Sequence, residues 1–205
     1  MKKNSRQYFI VVCAAVVGTF FTGLLSPALS AEATEEQLLV DKARITFESF
    51  ISDPNMSYLK EHLKDAKGIL IVPSLLKAGF VFGGSGGSGV LIVNDAKKGQ
   101  WSQPAFYTLG SVSFGLQIGG EAAEVIMMVR TQKAMDKLLT SSFKLGGDTS
   151  VSVGPVGTGA KSNVVADIFS FSRSKGAFAG LALDGSVITT RDKWNAAYYG
   201  KPASP

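Results

Sequence analysis

Residues 77–93, KAGFVFGGSGGSGVLIV, join two short apolar runs through a segment made only of glycine and serine. The apolar runs are residues 80–82 and 90–93, and residues 83–89 between them hold five glycines and two serines. Glycine adopts backbone conformations that other residues avoid and lets a second chain segment approach closely. We therefore predict two strands joined through residues 83–89, with the glycines allowing a tight bend.

One cofactor pattern occurs in this segment. Gly84, Gly86 and Gly89 have the spacing of the dinucleotide fingerprint, whose mechanism needs a helix to begin at the third glycine so that the pyrophosphate meets a helix N-terminus. Here Gly89 precedes the run VLIV, which is typical of a strand. The context therefore argues against nucleotide binding.

A catalytic pattern occurs in the same place. Gly83, Ser85 and Gly87 spell a nucleophile elbow, which requires a strand, a sharp turn and then a helix, with a histidine base later in the chain. The single histidine, His62, precedes the serine and falls in a predicted helix. Both context and chain order argue against a serine hydrolase, although triads on unrelated folds occur in other orders.

The chain around this segment divides into a helical start and a β-rich remainder. Residues 32–51 and 57–66 show helical spacing of apolar residues and predict a helical hairpin, with Thr34 and Gln37 placed as a capping box. From Gly68 onward, short β-type runs alternate with glycine, proline and Asn-Asp punctuation. Short helices are predicted at 131–142 and 192–199.

These patterns predict an α+β fold: a strongly bent antiparallel sheet or barrel-like core with the helical hairpin and one or two short helices packed on it. Strands are expected at 69–72, 79–83, 89–94, 105–110, 113–119, 125–130, 149–153, 166–173 and 178–189. In residues 111–118 the even positions, beginning with Val112, are apolar and are expected to face a core.

The N-terminus has the layout of a secretory signal peptide. Lys2, Lys3 and Arg6 precede an uncharged apolar run, residues 8–25, and small residues follow up to Ala31. We predict a signal peptide over 1–31, cleaved after Ser30 or Ala31, and a single domain over 32–205. The alternative is an uncleaved membrane anchor, because the run approaches the length that spans a bilayer.

Composition limits the functions of the mature chain. The single cysteine, Cys13, lies in the predicted leader, so disulfides, thiolate chemistry and cysteine-ligated zinc are not expected in the domain. Without the leader's three basic residues, 18 basic residues stand against 16 acidic ones, a net charge of +2. Such a domain lacks the broad positive field of a nucleic-acid binder.

No cofactor or metal is predicted. His62 has no second histidine or cysteine to complete a metal site. An oxygen-ligand calcium site from Asp148, Asp167 and Asp184 stays open, although no spacing resembles an EF-hand loop. The carboxylate pair Glu121 and Glu124 receives no acid–base role.

Residues 170–178, SFSRSKGAF, combine two cations, hydroxyl groups and an aromatic residue. Arg173 and Lys175 are suited to pairing with phosphate, and Phe178 to insertion at a bilayer surface. From spacing alone, an ordinary solvated turn is the simpler interpretation.

Several motifs, in order from about Asp41 to Lys201, together resemble the SYLF domain family. They are AKGI at 66–69, KAGF at 77–80, GGSGV at 86–90, WSxP at 101–104, GG at 146–147, VxVGP at 151–155, SKGxFAG at 174–180 and YG at 199–200. The resemblance implies a non-enzymatic lipid-binding module, here a bacterial-type exported member. Fungal members also bind actin.

The resemblance also implies a binding site and partners. Its basic positions correspond to Lys67, Lys77, Arg173 and Lys175, and its glycine segment to Gly86, Gly87 and Gly89, with Phe178 at the acyl boundary. The expected function is binding of anionic phospholipid at the periplasmic face of the cell envelope, without nucleic acid or actin as partners. The alternatives are an envelope structural or protein-interaction module and a soluble carrier enclosing a lipid.

Overall fold

The computed structural model describes residues 33–79, 82–95, 98–114, 119–147, 149–174, 177–178, 181 and 183–205. The predicted signal peptide, residues 1–31, lies outside them. Among the described residues, none of the helices combines the length and apolarity needed to cross a bilayer.

The described helices are short and surround the sheet. They are α1 (Glu35–Ser52), α2 (Ser57–His62), α3 (Gln132–Leu138) and α4 (Asp192–Tyr199), with single 3-10 turns at Pro54–Met56 and Leu63–Asp65. Thr34 caps α1 as predicted, because its Oγ1 accepts a hydrogen bond from the Gln37 N–H at 3.3 Å. The Gln37 side chain instead donates to Asp41, so only half of the predicted capping box forms.

Ten strands form one mixed sheet that curls into a half-barrel. The strands are β1 (Gly68–Gly79), β2 (Phe82–Asp95), β3 (Gln100–Trp101), β4 (Ala105–Phe114), β5 (Gly119–Val129), β6 (Ser142–Lys144), β7 (Val151–Val153), β8 (Ile168–Ser174), β9 (Ala177–Phe178) and β10 (Val187–Thr190). Their order is β6-β10-β4-β2-β1-β5-β8-β7, with β3 on β2 and β9 on β8. The predicted α+β class with a strongly bent sheet is confirmed.

Several details differ from the expected strands, and two of them change the topology. β7 pairs with β8 in parallel, because a long connection returns the chain to the same direction, so the sheet is mixed. The strand expected over 178–189 is instead two separate strands, β9 and β10, with a turn at Asp184 and Gly185 between them. Gly185 has φ +81°, which ends extended structure there.

Each face of the sheet carries its own hydrophobic core. The first, which we call the α3 face, joins Leu70, Leu91, Tyr107 and Met127 of the strands to Met135 of α3. The second, the α1 face, joins Ile71, Phe106 and Phe169 to Phe50 of α1 and Leu59 of α2. Alternating residues of β1 enter opposite cores, which accounts for its continuous apolar run.

Residues 83–89 are not a bend, contrary to our prediction. They are the first half of β2, and the pairing of Gly79 with Gly83 places the connection between β1 and β2 before the glycines. The bend lies in β1 instead, where both neighbouring registers shift around residues 73–74. Pro73 lacks a backbone N–H and is suited to such a bulge.

The glycines of β2 accommodate this bulge. A methyl group added at Gly87 would stand 2.5 Å from the Ser74 carbonyl oxygen, and one at Gly89 would stand 2.9 Å from the Ile71 carbonyl oxygen. The bulged β1 backbone therefore lies where β2 side chains would normally project. Glycine at these two positions is a packing requirement of the bent sheet.

Candidate functional site

One end of the sheet extends beyond the helices on the α1 face. Thr46 of α1 reaches Glu124 of β5, at 3.3 Å between Oγ1 and Oε1, so α1 lies over this level of the sheet. One step further along β5, Ala122 is exposed. Strands β1, β2, β4 and β5 all continue past this level.

The exposed surface beyond this level is apolar. Leu76 is 61% exposed and Val112 is 78% exposed, and the register places both on the α1 face. Between them β2 contributes only glycine on that face. We call this surface the open face, and its residues are Leu76, Ala78, Gly84, Gly86, Val112 and Ala122.

Among the described residues, nothing requires glycine at position 86. Its φ is not positive, and a methyl group added to it would meet none of the described atoms within 4 Å. A side chain there would project from the centre of the open face, between Leu76 and Gly110. Glycine at this position keeps the surface flat and its backbone accessible, which suits contact with a ligand or partner.

The opposite, α3 face of the same sheet end is polar. Lys77 pairs in register with Ser85 of β2 and with Glu121 of β5. The Ser85 and Ser111 hydroxyl groups lie 2.7 Å apart, and the Ser174 hydroxyl group donates to Glu121. This end of the sheet is therefore amphipathic, with an apolar side and a hydroxyl-rich side that carries Lys77.

The structure gives Arg173 a partner within the domain. Its guanidinium contacts the Glu124 carboxylate at 2.6 Å, donates to Ser49 Oγ at 2.9 Å and lies 4.9 Å from the centre of the Phe50 ring. The side chain is only 17% exposed. Arg173 thus attaches α1 to the sheet, and phosphate binding by its guanidinium would require those contacts to rearrange.

The other predicted site residues do not form one cluster with Arg173. Lys67 precedes β1 at the far end of the sheet, and ten residues of extended chain, about 30 Å, separate it from Lys77. Lys175 lies outside the described residues. Phe178 of β9 pairs in register with Arg173 of β8, and the side chain of Phe178 is not among those that the structure describes. Their lipid-binding roles stay predictions.

The geometry explains why neither the dinucleotide pattern nor the nucleophile-elbow pattern forms its expected site. Gly84, Gly86 and Gly89 lie within a strand, so no helix N-terminus follows them. Ser85 points to the α3 face and meets Ser111, whereas His62 stacks on Tyr58 on the α1 face with ring centres 4.0 Å apart. The imidazole therefore lies on the other side of the sheet from the serine hydroxyl group.

Among the described residues, no group of three or more histidine, cysteine or acidic side chains is placed to hold a metal ion. Of the three aspartates considered for calcium, Asp148 lies outside the residues that the structure describes. Asp167 is engaged with Thr131 and Ser150, at 2.8 Å to each.

Sequence reasoning missed the open face. Alternation with polar residues predicts that Val112 faces a core, but Val112 is 78% exposed on a part of the sheet that none of the described elements covers. Alternation identifies which residues share a face and does not reveal whether that face is covered. The only local signal was the glycine on β2 between two apolar strands.

The fold defines an α+β domain built on one half-barrel sheet, and sequence comparison relates it to a known family. Residues 110–205 match the family model Ysc84, described as "Las17-binding protein actin regulator". This match and the relatives below support a SYLF domain in the chain, as the motifs predicted.

The relatives are longer proteins. LAS seventeen-binding protein 3 of Saccharomyces cerevisiae is 38% identical over 145 residues, covering 67% of this chain and 31% of that protein. Protein YSC84 of the same yeast is 36% identical over 145 residues with the same coverage. SH3 domain-containing YSC84-like protein 1 of Homo sapiens is 32% identical over 139 residues, 65% of this chain and 40% of that protein. The chain spans well under half of each relative.

These names correct one expectation. The sequence analysis predicts no actin partner, because an exported protein would not meet actin. The matching family model is described as an actin regulator, and two yeast relatives are named for Las17 binding or for the family itself. The exclusion was wrong because it rested on the leader, whereas the family similarity lies in the domain. The relatives are named as binding or regulatory proteins.

Proposed function

We propose that this domain is a non-enzymatic module that binds anionic phospholipid at a membrane surface through the open face. The observation that carries the proposal is the pair Leu76 and Val112, largely exposed on a flat sheet surface with glycine between them. Exposed apolar patches that polar residues surround are typical of membrane or protein contacts.

The energetics fit a reversible surface contact. Full burial of a leucine or valine side chain contributes about 1.5–3 kcal/mol. A cation near an anionic surface adds about 1 kcal/mol, and this contribution falls with salt. Leu76 and Val112 therefore supply only a few kcal/mol on the open face, and Lys77 lies on the other side of the same sheet end. The predicted Lys175 and Phe178 are therefore expected to contribute.

Vesicle cosedimentation tests this proposal, using phosphatidylcholine vesicles with and without phosphatidylglycerol. The double substitution of Leu76 and Val112 by serine is expected to reduce binding severalfold without lowering the melting temperature, since both side chains are exposed. Val165→Ser is the matched control, because Val165 is 92% exposed in the connection before β8, outside the open face. Equal binding by the double variant and the wild type would overturn the assignment of the open face.

A second candidate function is binding to a protein of the actin-assembly pathway. It is favoured by the description of the family model and by the names of the yeast relatives. Cosedimentation of the purified chain with filamentous actin tests it. Saturable pelleting that the Leu76 and Val112 substitutions reduce, in the absence of lipid, would favour this candidate over the phospholipid proposal.

Export is part of the first proposal and rests only on the leader-like residues 1–31. Expression of the full chain in a bacterial host, followed by fractionation and N-terminal sequencing, tests it. A mature N-terminus at Ala31 or Glu32 in the periplasmic fraction is the expected result. An intact leader on cytosolic protein would contradict it.

A further inference from the structure

Four neighbouring strands carry a hydroxyl side chain at the same level of the α1 face. Ser88 of β2 pairs in register with Thr108 of β4, Thr108 with Thr189 of β10, and Thr189 with Ser142 of β6. Residues that pair directly across strands project from the same face of a sheet. Phe106, two residues before Thr108 in β4, belongs to the core of the α1 face and so identifies that face. We call the four residues the hydroxyl row.

The hydroxyl row lies directly beside the open face. Two residues along β2 lead from Ser88 to Gly86, the centre of the open face, a distance of about 7 Å. The other three members of the row are exposed. Among the described residues, none forms a hydrogen bond with the hydroxyl groups of Thr108, Thr189 or Ser142. An apolar surface and a hydroxyl surface therefore meet along one boundary of the sheet.

Arg191 places a guanidinium group at the β2 end of the row. It directly follows β10, and its Nη1 donates to the Ser88 hydroxyl group at 2.5 Å. Its Cζ lies 3.4 Å from the centre of the Trp194 ring, so stacking on the indole also holds the side chain. A side chain that is held before the ligand arrives loses less conformational entropy on binding.

The Arg191 guanidinium retains its charge and some of its donors. In the part of the chain that the structure describes it forms no ion pair, unlike Arg173. Burial lowers the pKa of Arg191, and the nearby Glu35 and Glu36 act in the opposite direction. An arginine stays cationic at neutral pH, and Ser88 accepts from only one of its several N–H groups. Donors therefore remain for an anionic ligand.

This arrangement matches the polar half of an anionic phospholipid. Guanidinium N–H groups and hydroxyl groups are typical partners of phosphate oxygens, and the planar arginine fork can contact two of them. Hydroxyl side chains both donate and accept, so the row can also bond to ester oxygens and to the hydroxyl groups of a glycerol headgroup. The acyl part of the same lipid then lies towards Leu76 and Val112.

We propose that Arg191 and the hydroxyl row bind the phosphate headgroup of an anionic phospholipid whose acyl part contacts the open face. This inference rests on the proposed function. It assigns a cation to the same face as Leu76 and Val112, whereas Lys77 lies on the other face. It also orients the lipid, with the headgroup towards α4 and the acyl chains towards the end of the sheet.

Vesicle cosedimentation tests the role of Arg191, with phosphatidylcholine vesicles that contain or lack phosphatidylglycerol. The readout is the ratio of anionic to neutral binding. R191Q is expected to lower this ratio about fivefold and to leave binding to neutral vesicles unchanged, because one cation near an anionic surface is lost. R191K keeps the charge without the planar fork and is expected to recover part of the ratio. R44Q is the matched control, since Arg44 is 64% exposed on α1, outside the hydroxyl row.

An NMR titration of the full ¹⁵N-labelled wild-type chain decides the case even if R191Q does not fold. A short-chain phosphatidylglycerol is expected to shift the Arg191 Nε–H signal and the amides of Ser88, Thr108 and Thr189 saturably. Absence of these shifts would overturn the inference. Equally tight binding of free glycerol 3-phosphate would contradict the lipid assignment.

The vesicle results separate this inference from the function on which it rests. A wild type that binds neither kind of vesicle would overturn both. Equal ratios for R191Q and R44Q, together with lost binding in the serine variant of Leu76 and Val112, would overturn only the headgroup site. A lower ratio in R191Q alone, with neutral binding retained, supports it.

Discussion

Gly86 and Gly87 are neighbours in β2 but have different reasons to be glycine. Gly87 lies on the α3 face under the bulge of β1, where the Ser74 carbonyl oxygen leaves no room for a side chain. Gly86 lies on the open face, where an added methyl group would meet none of the described atoms within 4 Å. One glycine is therefore required by the fold, whereas the described residues place no such requirement on the other.

Alanine substitutions separate these two roles. Gly87→Ala is expected to lower the free energy of unfolding by about 1–3 kcal/mol, because the methyl group overlaps Ser74 and Val72. Gly86→Ala is expected to change it by less than about 0.5 kcal/mol. Urea denaturation of both variants measures the difference, and equal losses would contradict the assignment of the two faces.

Asp167 joins three segments at the start of β8. Its carboxylate accepts from the Thr131 hydroxyl group and from the Ser150 N–H, and its own N–H donates to the Ser150 hydroxyl group at 2.9 Å. Thr131 in turn caps α3. The hydrogen bond from the Ser150 N–H, followed by that from Thr131, lowers the pKa of Asp167 below its usual value.

The lowered pKa makes this contribution depend on pH. The ionised form is favoured in the folded state, so its stabilisation is present above the unfolded pKa of about 3.9 and disappears as the pH falls through the folded value. Asp167→Asn is expected to cost about 1–2 kcal/mol at pH 7. Denaturation at pH 7 and at pH 3 tests this, and a gap that is as large at pH 3 would contradict it.

At the scale of elements, polar contacts fix the helices on the α1 face. Arg173 and Glu124 connect β8 and β5 to α1 through Ser49 and Thr46. The pairing of β10 with β4 ends at Tyr107. At the next residue, the buried Asn195 of α4 accepts a hydrogen bond from the Phe106 N–H at 2.8 Å, in the place of a strand partner. These contacts position the helices and leave the sheet end beyond Glu124 uncovered.

The Arg173 pair is expected to contribute to stability. Arg173→Gln and Glu124→Gln should each cost about 1–3 kcal/mol, because each leaves the other partner without its charge-assisted bond. The double variant should cost less than the sum, which a double-mutant cycle measures. Additive losses would show that the two side chains do not act as a pair.

The contact between Arg173 and Glu124 also affects how lipid binding is tested. Arg173→Glu would place a second carboxylate beside Glu124, so a loss of vesicle binding in that variant would report damage to the fold as well as lost charge. Lys77→Gln is the cleaner electrostatic variant, because Lys77 lies on the α3 face, away from the Arg173–Glu124 contact that holds α1.

The elements that depend on local chemistry could be predicted from the sequence. Thr34 caps α1 and the Asp192–Tyr199 helix ends at Gly200, whose φ is +64°, because caps are set by residues within a few positions. The role of residues 83–89 could not be predicted, because it depends on the bulge at Pro73 in another strand. The Glu124 partner of Arg173 is likewise 49 residues away in the chain.

At the scale of the whole molecule, one half-barrel sheet carries two packed cores and one uncovered end. The sequence similarity, which covers 67% of this chain, relates it to longer proteins, one of which is named for binding LAS seventeen. The cores account for the stability of the domain. The open face accounts for its proposed contact with a membrane.

Vesicle cosedimentation of the wild type, the Leu76 and Val112 double serine variant and Val165→Ser tests the central claim most directly. We expect the wild type and Val165→Ser to pellet with phosphatidylglycerol vesicles more than with neutral ones, and the double variant to lose most of this binding while its melting temperature is unchanged. Wild-type binding by a folded double variant, or no preference of the wild type for anionic vesicles, would contradict the claim.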